Sequence, residues 1–115
     1  MTVKVLDGRN FTETLAQNEL VVVDFWAQWC APCRAFSKVV AVLSEEYPAV
    51  LFASVNIEAE PELSADFNIQ SVPAVMIVKQ QVVVYAESGA LTHAAMVDLI
   101  ERAVALDVSD DERAE

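Results

Sequence analysis

The chain has 115 residues, 55% of them hydrophobic, so it is long enough for one domain with a buried core and too short for two ordinary ones. Aspartate and glutamate outnumber lysine and arginine by 18 to 7, which gives a formal net charge of −11. This charge disfavours contact with nucleic acid or an anionic membrane surface, and we expect neither as a partner.

The beginning of the sequence lacks an apolar run followed by a small-residue cleavage site, and no apolar stretch reaches the length of a membrane span. We therefore expect a cytoplasmic protein. Its two cysteines, Cys30 and Cys33, would close a loop too small to stabilise a fold. In a reducing compartment, such a pair indicates redox chemistry or metal binding.

Strand-forming segments alternate with helical patterns in the first half of the chain. Residues 3–6 and 20–26 are predicted strands, and a short helix is predicted over residues 11–18 between them. The second strand is almost continuously apolar, which is typical of a central strand covered on both faces. Apolar residues then recur at spacings of three and four from Phe36 to Tyr47, which predicts a helix opened by Pro32 and ended near Pro48.

The second half of the chain continues this alternation. A strand over residues 50–56 is followed by a short helix over residues 61–67, and then by strands over residues 74–78 and 82–86. The last helix follows Thr92, a suitable N-cap residue.

The connections between these elements predict the sheet. A crossover helix between two strands implies parallel pairing, whereas the short link between the last two strands implies antiparallel pairing. The fold class is therefore α/β, with a mixed five-stranded sheet flanked by four helices in the order β-α-β-α-β-α-β-β-α. We expect residues 1–107 to form this domain and residues 108–115 to be an acidic, disordered tail.

The two cysteines lie where the second strand leads into the long helix, in the segment Trp29-Cys30-Ala31-Pro32-Cys33. A cysteine at a helix N-terminus faces unpaired N–H groups and the positive end of the helix dipole, which stabilise a thiolate. We therefore expect Cys30 to ionise more readily than a free cysteine. Cys33 lies one turn further along, close enough for a disulfide, and Pro32 rigidifies the first turn.

Half of a structural zinc site is the alternative interpretation of the cysteine pair. A closed zinc site takes about four ligands, and the chain supplies two cysteines and one histidine, His93. Metal binding would therefore require a dimer. We expect no metal site and no bound cofactor beyond a redox-active Cys30–Cys33 disulfide.

Residues 24–34, with the sequence Asp-Phe-Trp-Ala-Gln-Trp-Cys-Ala-Pro-Cys-Arg, resemble the active-site segment of thioredoxins. The likeness extends from about residue 3 to residue 104, with further matches at residues 55–58, 69–73 and 88–90. It implies the thioredoxin fold and a protein-disulfide reductase. It also implies that Cys30 attacks the substrate disulfide, that Cys33 resolves the mixed disulfide, and that an external reductase restores the dithiol.

The resemblance assigns further residues to the site. Asp24 is similar to the family's buried acid-base group, which helps to deprotonate Cys33 through water; burial raises the pKa of a carboxyl group, as this role requires near neutral pH. Pro73 is similar to the family's cis-proline, which leaves the backbone of Val72 free to pair with an extended substrate. The resemblance thus implies four catalytic residues, Cys30, Cys33, Asp24 and Pro32. It also implies a flat apolar docking surface formed by Trp29, Val72, Pro73, Gly89 and Ala90.

The chain departs from the family pattern at several positions. Ala31 stands where glycine is commonest, so we expect a reduction potential different from the family's value of about −270 mV. Ser54 takes the place of a lysine often found close to the buried aspartate, which predicts a further rise in the pKa of Asp24. Gln80 and Gln81 replace an asparagine-glycine turn, which predicts a longer or differently bent hairpin.

Two classes of function fit these residues. The first is a monomeric thiol-disulfide oxidoreductase that reduces several protein disulfides and takes electrons from a thioredoxin-reductase-type donor. The second is a partner-binding or chaperone-associated thioredoxin-like module in which redox turnover is secondary. The intact cysteines, Pro32, Asp24 and Pro73 favour the first, whereas the acidic tail and the altered residues near the site favour the second.

Overall fold

The computed structural model describes residues 3–107, and within them the elements follow one another in the predicted order. The strands and helices are β1 (Val3–Val5), α1 (Phe11–Gln17), β2 (Leu20–Trp26), α2 (Ala31–Glu46), β3 (Leu51–Asn56), α3 (Pro61–Asp66), β4 (Ala74–Lys79), β5 (Val82–Ser88) and α4 (His93–Ala105). The α/β class is confirmed, and no boundary differs from the predicted one by more than two residues. The predicted tail, residues 108–115, lies outside the described residues.

The five strands form one mixed sheet in the order β1-β3-β2-β4-β5. β1 and β2 both run parallel to β3, whereas β4 runs antiparallel to its neighbours β2 and β5. The register pairs Trp26 with Asn56 and Phe25 with Ala74. The ends of β2 and β3 therefore lie at the same edge of the sheet as the start of β4, and this edge carries the cysteine pair.

Side chains alternate along β2 and contact different helices on the two faces of the sheet. Val22 belongs to an apolar cluster with Phe36 of α2 and Met96 of α4. Val23 belongs to a second cluster on the opposite face, which includes Phe11 of α1. The sheet is therefore covered by α2 and α4 on one side and by α1 and α3 on the other. Within residues 3–107, no helix combines the length and the apolar composition needed to cross a membrane.

The hairpin between β4 and β5 corrects one prediction. Only Gln80 and Gln81 separate the strands, and both have positive φ angles, 50° and 68°. Two consecutive positive φ angles match the right-handed twist of a two-residue hairpin, so the glutamines adopt the conformation that asparagine and glycine favour. The expected lengthening is wrong. The pairing is still irregular, because its register shifts between Ile77 and Val78.

A buried lysine on the sheet caps the C-terminus of α4. The side chain of Lys79 is only 6% exposed, and its Nζ donates hydrogen bonds to the carbonyl oxygens of Ala103 and Val104, both at 2.8 Å, and of Leu106. A helix leaves its last carbonyl groups unpaired, and a cation there also interacts favourably with the helix dipole. The three contacts therefore fasten α4 to β4.

Replacing Lys79 with methionine should lower the free energy of unfolding by about 2 kcal/mol, because it removes hydrogen bonds from a charged donor and leaves buried carbonyl groups unpaired. Lys4→Met is the matched control, since Lys4 is an exposed lysine on β1. Urea unfolding of both variants, followed by circular dichroism, measures the difference. Equal stability of the two variants would show that the cap contributes nothing.

Candidate active site

Cys30 and Cys33 form a disulfide at the start of α2, with their Cα atoms 5.3 Å apart. Cys30 is the N-cap residue of the helix, and its Sγ accepts a hydrogen bond from the backbone N–H of Cys33 at 3.1 Å. A sulfur at this position faces the N–H and the positive end of the helix dipole, and we expect both to stabilise a thiolate at Cys30 in the dithiol form. The predicted position of the pair at a helix N-terminus is confirmed.

The segment between β2 and α2 sets how far each side chain of the site is exposed. A turn closes where the Cys30 N–H donates to the carbonyl oxygen of Ala27 at 3.2 Å, and Pro32 follows in the first turn of α2, where its missing N–H costs no helical hydrogen bond. Cys30 is 4% exposed, whereas Trp29 beside it is 67% exposed. The pair therefore presents little surface, next to a large apolar side chain in solvent.

Asp24 follows Val23 on β2, and its side chain lies on the opposite face of the sheet from Val23, the face that α2 covers. Its side chain is 3% exposed, and its Oδ1 has no hydrogen-bond partner among the described residues. Burial raises the pKa of Asp24 from 3.8 to about 7, because removal from water disfavours the charged carboxylate. The rise in pKa expected from burial is confirmed, whereas the further rise expected from Ser54 stays a prediction. The carboxyl group can exchange a proton near neutral pH.

A cavity of about 670 Å³ connects this carboxyl group with the cysteine pair, since Asp24 and Cys33 both line it. Within the described residues, no direct hydrogen bond joins Asp24 Oδ1 to Cys33. Proton transfer between this oxygen and Cys33 therefore requires a bridging molecule, such as water, in the cavity.

The loop before β4 contacts the other side of the cysteine pair. The peptide bond between Val72 and Pro73 is cis, and the carbonyl oxygen of Val72 lies 3.7 Å from Cys30 Sγ. The Gly89 N–H donates to the carbonyl oxygen of Pro73 at 2.7 Å. Gly89 has a φ of 129°, a backbone conformation that residues with a side chain rarely adopt. Gly89 and Ala90 are both exposed. Of the predicted docking residues in this region, Val72 thus lies beside Cys30, and Gly89 is joined to it through Pro73.

Two residues near the cysteines were not singled out from the sequence. Ile57, directly after β3, packs against the cluster that contains both cysteines. The sequence could have predicted that Ile57 lies near the cysteines, because the ends of the parallel strands β2 and β3 meet at one edge of the sheet. Arg34 lies in the matched motif, and its Nη1 donates to the carbonyl oxygen of Gln28 at 3.0 Å, which links α2 to the loop before it.

His93 was the third side chain considered for a zinc site. Its Nε2 lies 2.7 Å from Glu46 Oε1, so the ring pairs α4 with the end of α2. In the part of the chain from residue 3 to residue 107, no three histidine, cysteine, aspartate or glutamate side chains are grouped as metal ligands.

Asp24→Asn should stabilise the protein more at pH 8 than at pH 5. A carboxyl group whose pKa rises from 3.8 to about 7 on folding contributes stability that is complete below pH 3.8 and is lost as the pH rises through 7. At about 1.4 kcal/mol per pKa unit, the gain from the amide should be about 2 to 3 kcal/mol larger at pH 8. Asp66→Asn, on the exposed surface of α3, is the control with the same change in charge. A gain independent of pH would contradict the raised pKa.

Comparisons with known proteins agree with this geometry. The family model for thioredoxin matches residues 2–102. "Putative thioredoxin 2" of Streptomyces coelicolor is 44% identical over 109 residues, which cover 95% of this chain and 81% of that protein. The thioredoxin structure of Plasmodium falciparum aligns with a TM-score of 0.81 at 33% identity, over 87% of this chain and 98% of the other. The thioredoxin of Fasciola hepatica gives a TM-score of 0.82 at 32% identity, over the same shares of the two chains.

The resemblance stated from the sequence is thus confirmed over nearly the whole chain, and the fold of the similar structures is the mixed sheet described above. The cysteine pair occupies the position expected from the motif and forms a disulfide. The chain therefore belongs to the thioredoxin family and is a thiol-disulfide oxidoreductase with Cys30 and Cys33 as its redox-active pair.

Proposed function

We propose that this protein reduces disulfides in other proteins, with Cys30 as the nucleophile and Cys33 as the resolving thiol. The observation that carries the proposal is the hydrogen bond from the Cys33 N–H to Cys30 Sγ at the N-terminus of α2. In the dithiol form, the Cys30 thiolate attacks one sulfur of the substrate disulfide. A mixed disulfide forms, and the first substrate sulfur leaves as a thiolate that takes up a proton.

The second step regenerates the disulfide within the protein. Asp24 accepts the thiol proton of Cys33 through water, and the resulting thiolate attacks Cys30 Sγ. The mixed disulfide breaks, the second substrate sulfur leaves, and the Cys30–Cys33 disulfide forms. Two electrons have then passed to the substrate. The raised pKa of Asp24 and the cavity that it shares with Cys33 support this role.

The substrate binds to the surface formed by Trp29, Val72, Pro73, Gly89 and Ala90. Trp29 offers an exposed aromatic face, and the Val72 carbonyl group lies close enough to Cys30 for an extended substrate backbone to reach both. Such a surface recognises backbone and apolar area more than particular side chains. We therefore expect several protein substrates and loose sequence specificity.

Return to the dithiol requires two electrons from outside the protein, which we assign to a thioredoxin-reductase-type donor. We propose a monomer that works in the cytoplasm without nucleic acid or membrane as a partner. The net charge of −11 supports the exclusion of anionic surfaces. The disulfide is the only redox group that this cycle uses, so no further cofactor is part of the proposal.

Reduction of insulin disulfides with dithiothreitol as electron source tests the proposed cycle. The wild type should accelerate the precipitation of insulin chains, and Cys30→Ser should abolish this acceleration because it removes the attacking sulfur. Cys33→Ser is the matched control, since it keeps the nucleophile and should accumulate a mixed disulfide detectable by mass spectrometry. An inactive, folded wild type, or full activity in Cys30→Ser, would refute the proposal.

A partner-binding module remains the second candidate, because the 67% exposed Trp29 offers apolar contact area that does not depend on the thiols. The double variant Cys30→Ser/Cys33→Ser separates the two functions in cells that lack the wild-type protein. A reductase requires sulfur at both positions, so we expect the double variant to lose the whole cellular effect. Retention of most of that effect would favour the binding module instead.

A further inference from the structure

The cavity beneath α2 extends well beyond the two residues that the reaction uses. It lies between the first half of α2 and the adjoining strands β2, β3 and β1, and its volume of about 670 Å³ lies within the range of small-molecule sites, about 300 to 1,000 Å³. The side chains of Ser37, Ala41 and Ser54 line it. Because all three are small, the space between helix and sheet stays unfilled.

The inner wall of the cavity contains an unpaired polar atom. Asp24 lines the cavity, is 3% exposed, and its Oδ1 has no hydrogen-bond partner within residues 3–107. Ser54 is its neighbour in the parallel register of β2 and β3. A hydroxyl group is the complement that fits this wall, because it donates to a carboxylate and accepts from a carboxylic acid.

The outer part of the cavity has the opposite charge. Arg34 and Lys38 line it one helical turn apart on α2, and both side chains are exposed. They are two of only 7 lysine and arginine residues in a chain of net charge −11. Among the described residues, Asp24 alone supplies a carboxyl group to the cavity wall. The rim therefore favours an anionic group.

We propose that this cavity binds a small amphipathic molecule whose hydroxyl group pairs with Asp24, whose apolar body fills the space beside Ser54 and Ala41, and whose carboxylate contacts Arg34 and Lys38. A hydroxyaryl carboxylic acid is the simplest compound of this class. Binding depends only on the shape and charge of the cavity. Its effect on turnover rests on the proposed function, because the ligand occupies the space through which Cys33 and Asp24 exchange a proton.

Titration of the oxidised protein with 4-hydroxyphenylacetate, followed by ¹H–¹⁵N NMR, tests the binding. We expect saturable shifts centred on Asp24, Ala41 and Ser54, with a Kd of about 1 mM, as the usual affinity per atom implies for a molecule of this size. Phenylacetate lacks the hydroxyl group and 4-hydroxyphenylethanol lacks the carboxylate. Each should bind about tenfold more weakly, since each loses one polar contact.

Three substitutions test whether the ligand binds in the cavity. Ser54→Leu fills the space beside Asp24 and should abolish the shifts, and Ala41→Leu fills it from the helix side in case the first variant does not fold. Lys38→Gln should weaken binding of 4-hydroxyphenylacetate but leave binding of the uncharged alcohol unchanged. Saturating 4-hydroxyphenylacetate should also slow insulin reduction by the wild type.

Three results would overturn the proposal: no saturable shift in the wild type, shifts centred on Trp29 and Gly89, or equal binding by a folded cavity-filling variant. Binding with the expected pattern in a protein that does not reduce insulin would support the site while refuting the proposed reductase function. The two proposals therefore fail by different measurements.

Discussion

The hydrogen bond from the Cys33 N–H to Cys30 Sγ links the chemistry of this protein to its fold, because it exists only while Cys30 occupies the N-cap of α2. That helix is held in place by Phe36 and Val40, which pack against the sheet in the larger apolar cluster. The central strand β2 runs across the sheet and ends just before the start of this helix. A shift of α2 on the sheet would therefore change the environment of the nucleophile.

The strand order has a second consequence for the site. β2 lies between β3 and β4, so a loop that follows Cys30 by about forty residues returns to its side, with the Val72 carbonyl oxygen 3.7 Å from the sulfur. The hydrogen bond from Gly89 to Pro73 then brings the end of β5 to the same place. The loop with Val72 therefore contacts the redox pair directly, and the end of β5 reaches it only through Pro73.

The site also places a destabilising group in the core. Lys79, the buried cation, has three carbonyl partners, whereas the Oδ1 of Asp24, the buried acid, has none in the described part of the chain. Replacing such an acid by a neutral side chain stabilises a fold, so its presence favours proton transfer over stability. The small side chains of Ser54 and Ala41 leave room beside it, and that room makes exchange with solvent or with a ligand possible.

The sequence by itself determined the order of the elements, the cysteine pair at a helix start and an acid within an apolar strand, because periodicity and motif spacing are local properties. Resemblance to a family supplied the docking residues, which lie in separate segments. Only the tertiary structure decided the contact of Val72 with Cys30, the cap of α4 by Lys79 and the cavity beside Asp24, since these depend on strand order and register. Of the two changes expected at residues 80–81, the longer hairpin was wrong, because pairing of β4 with β5 imposes positive φ angles on residues that rarely adopt them.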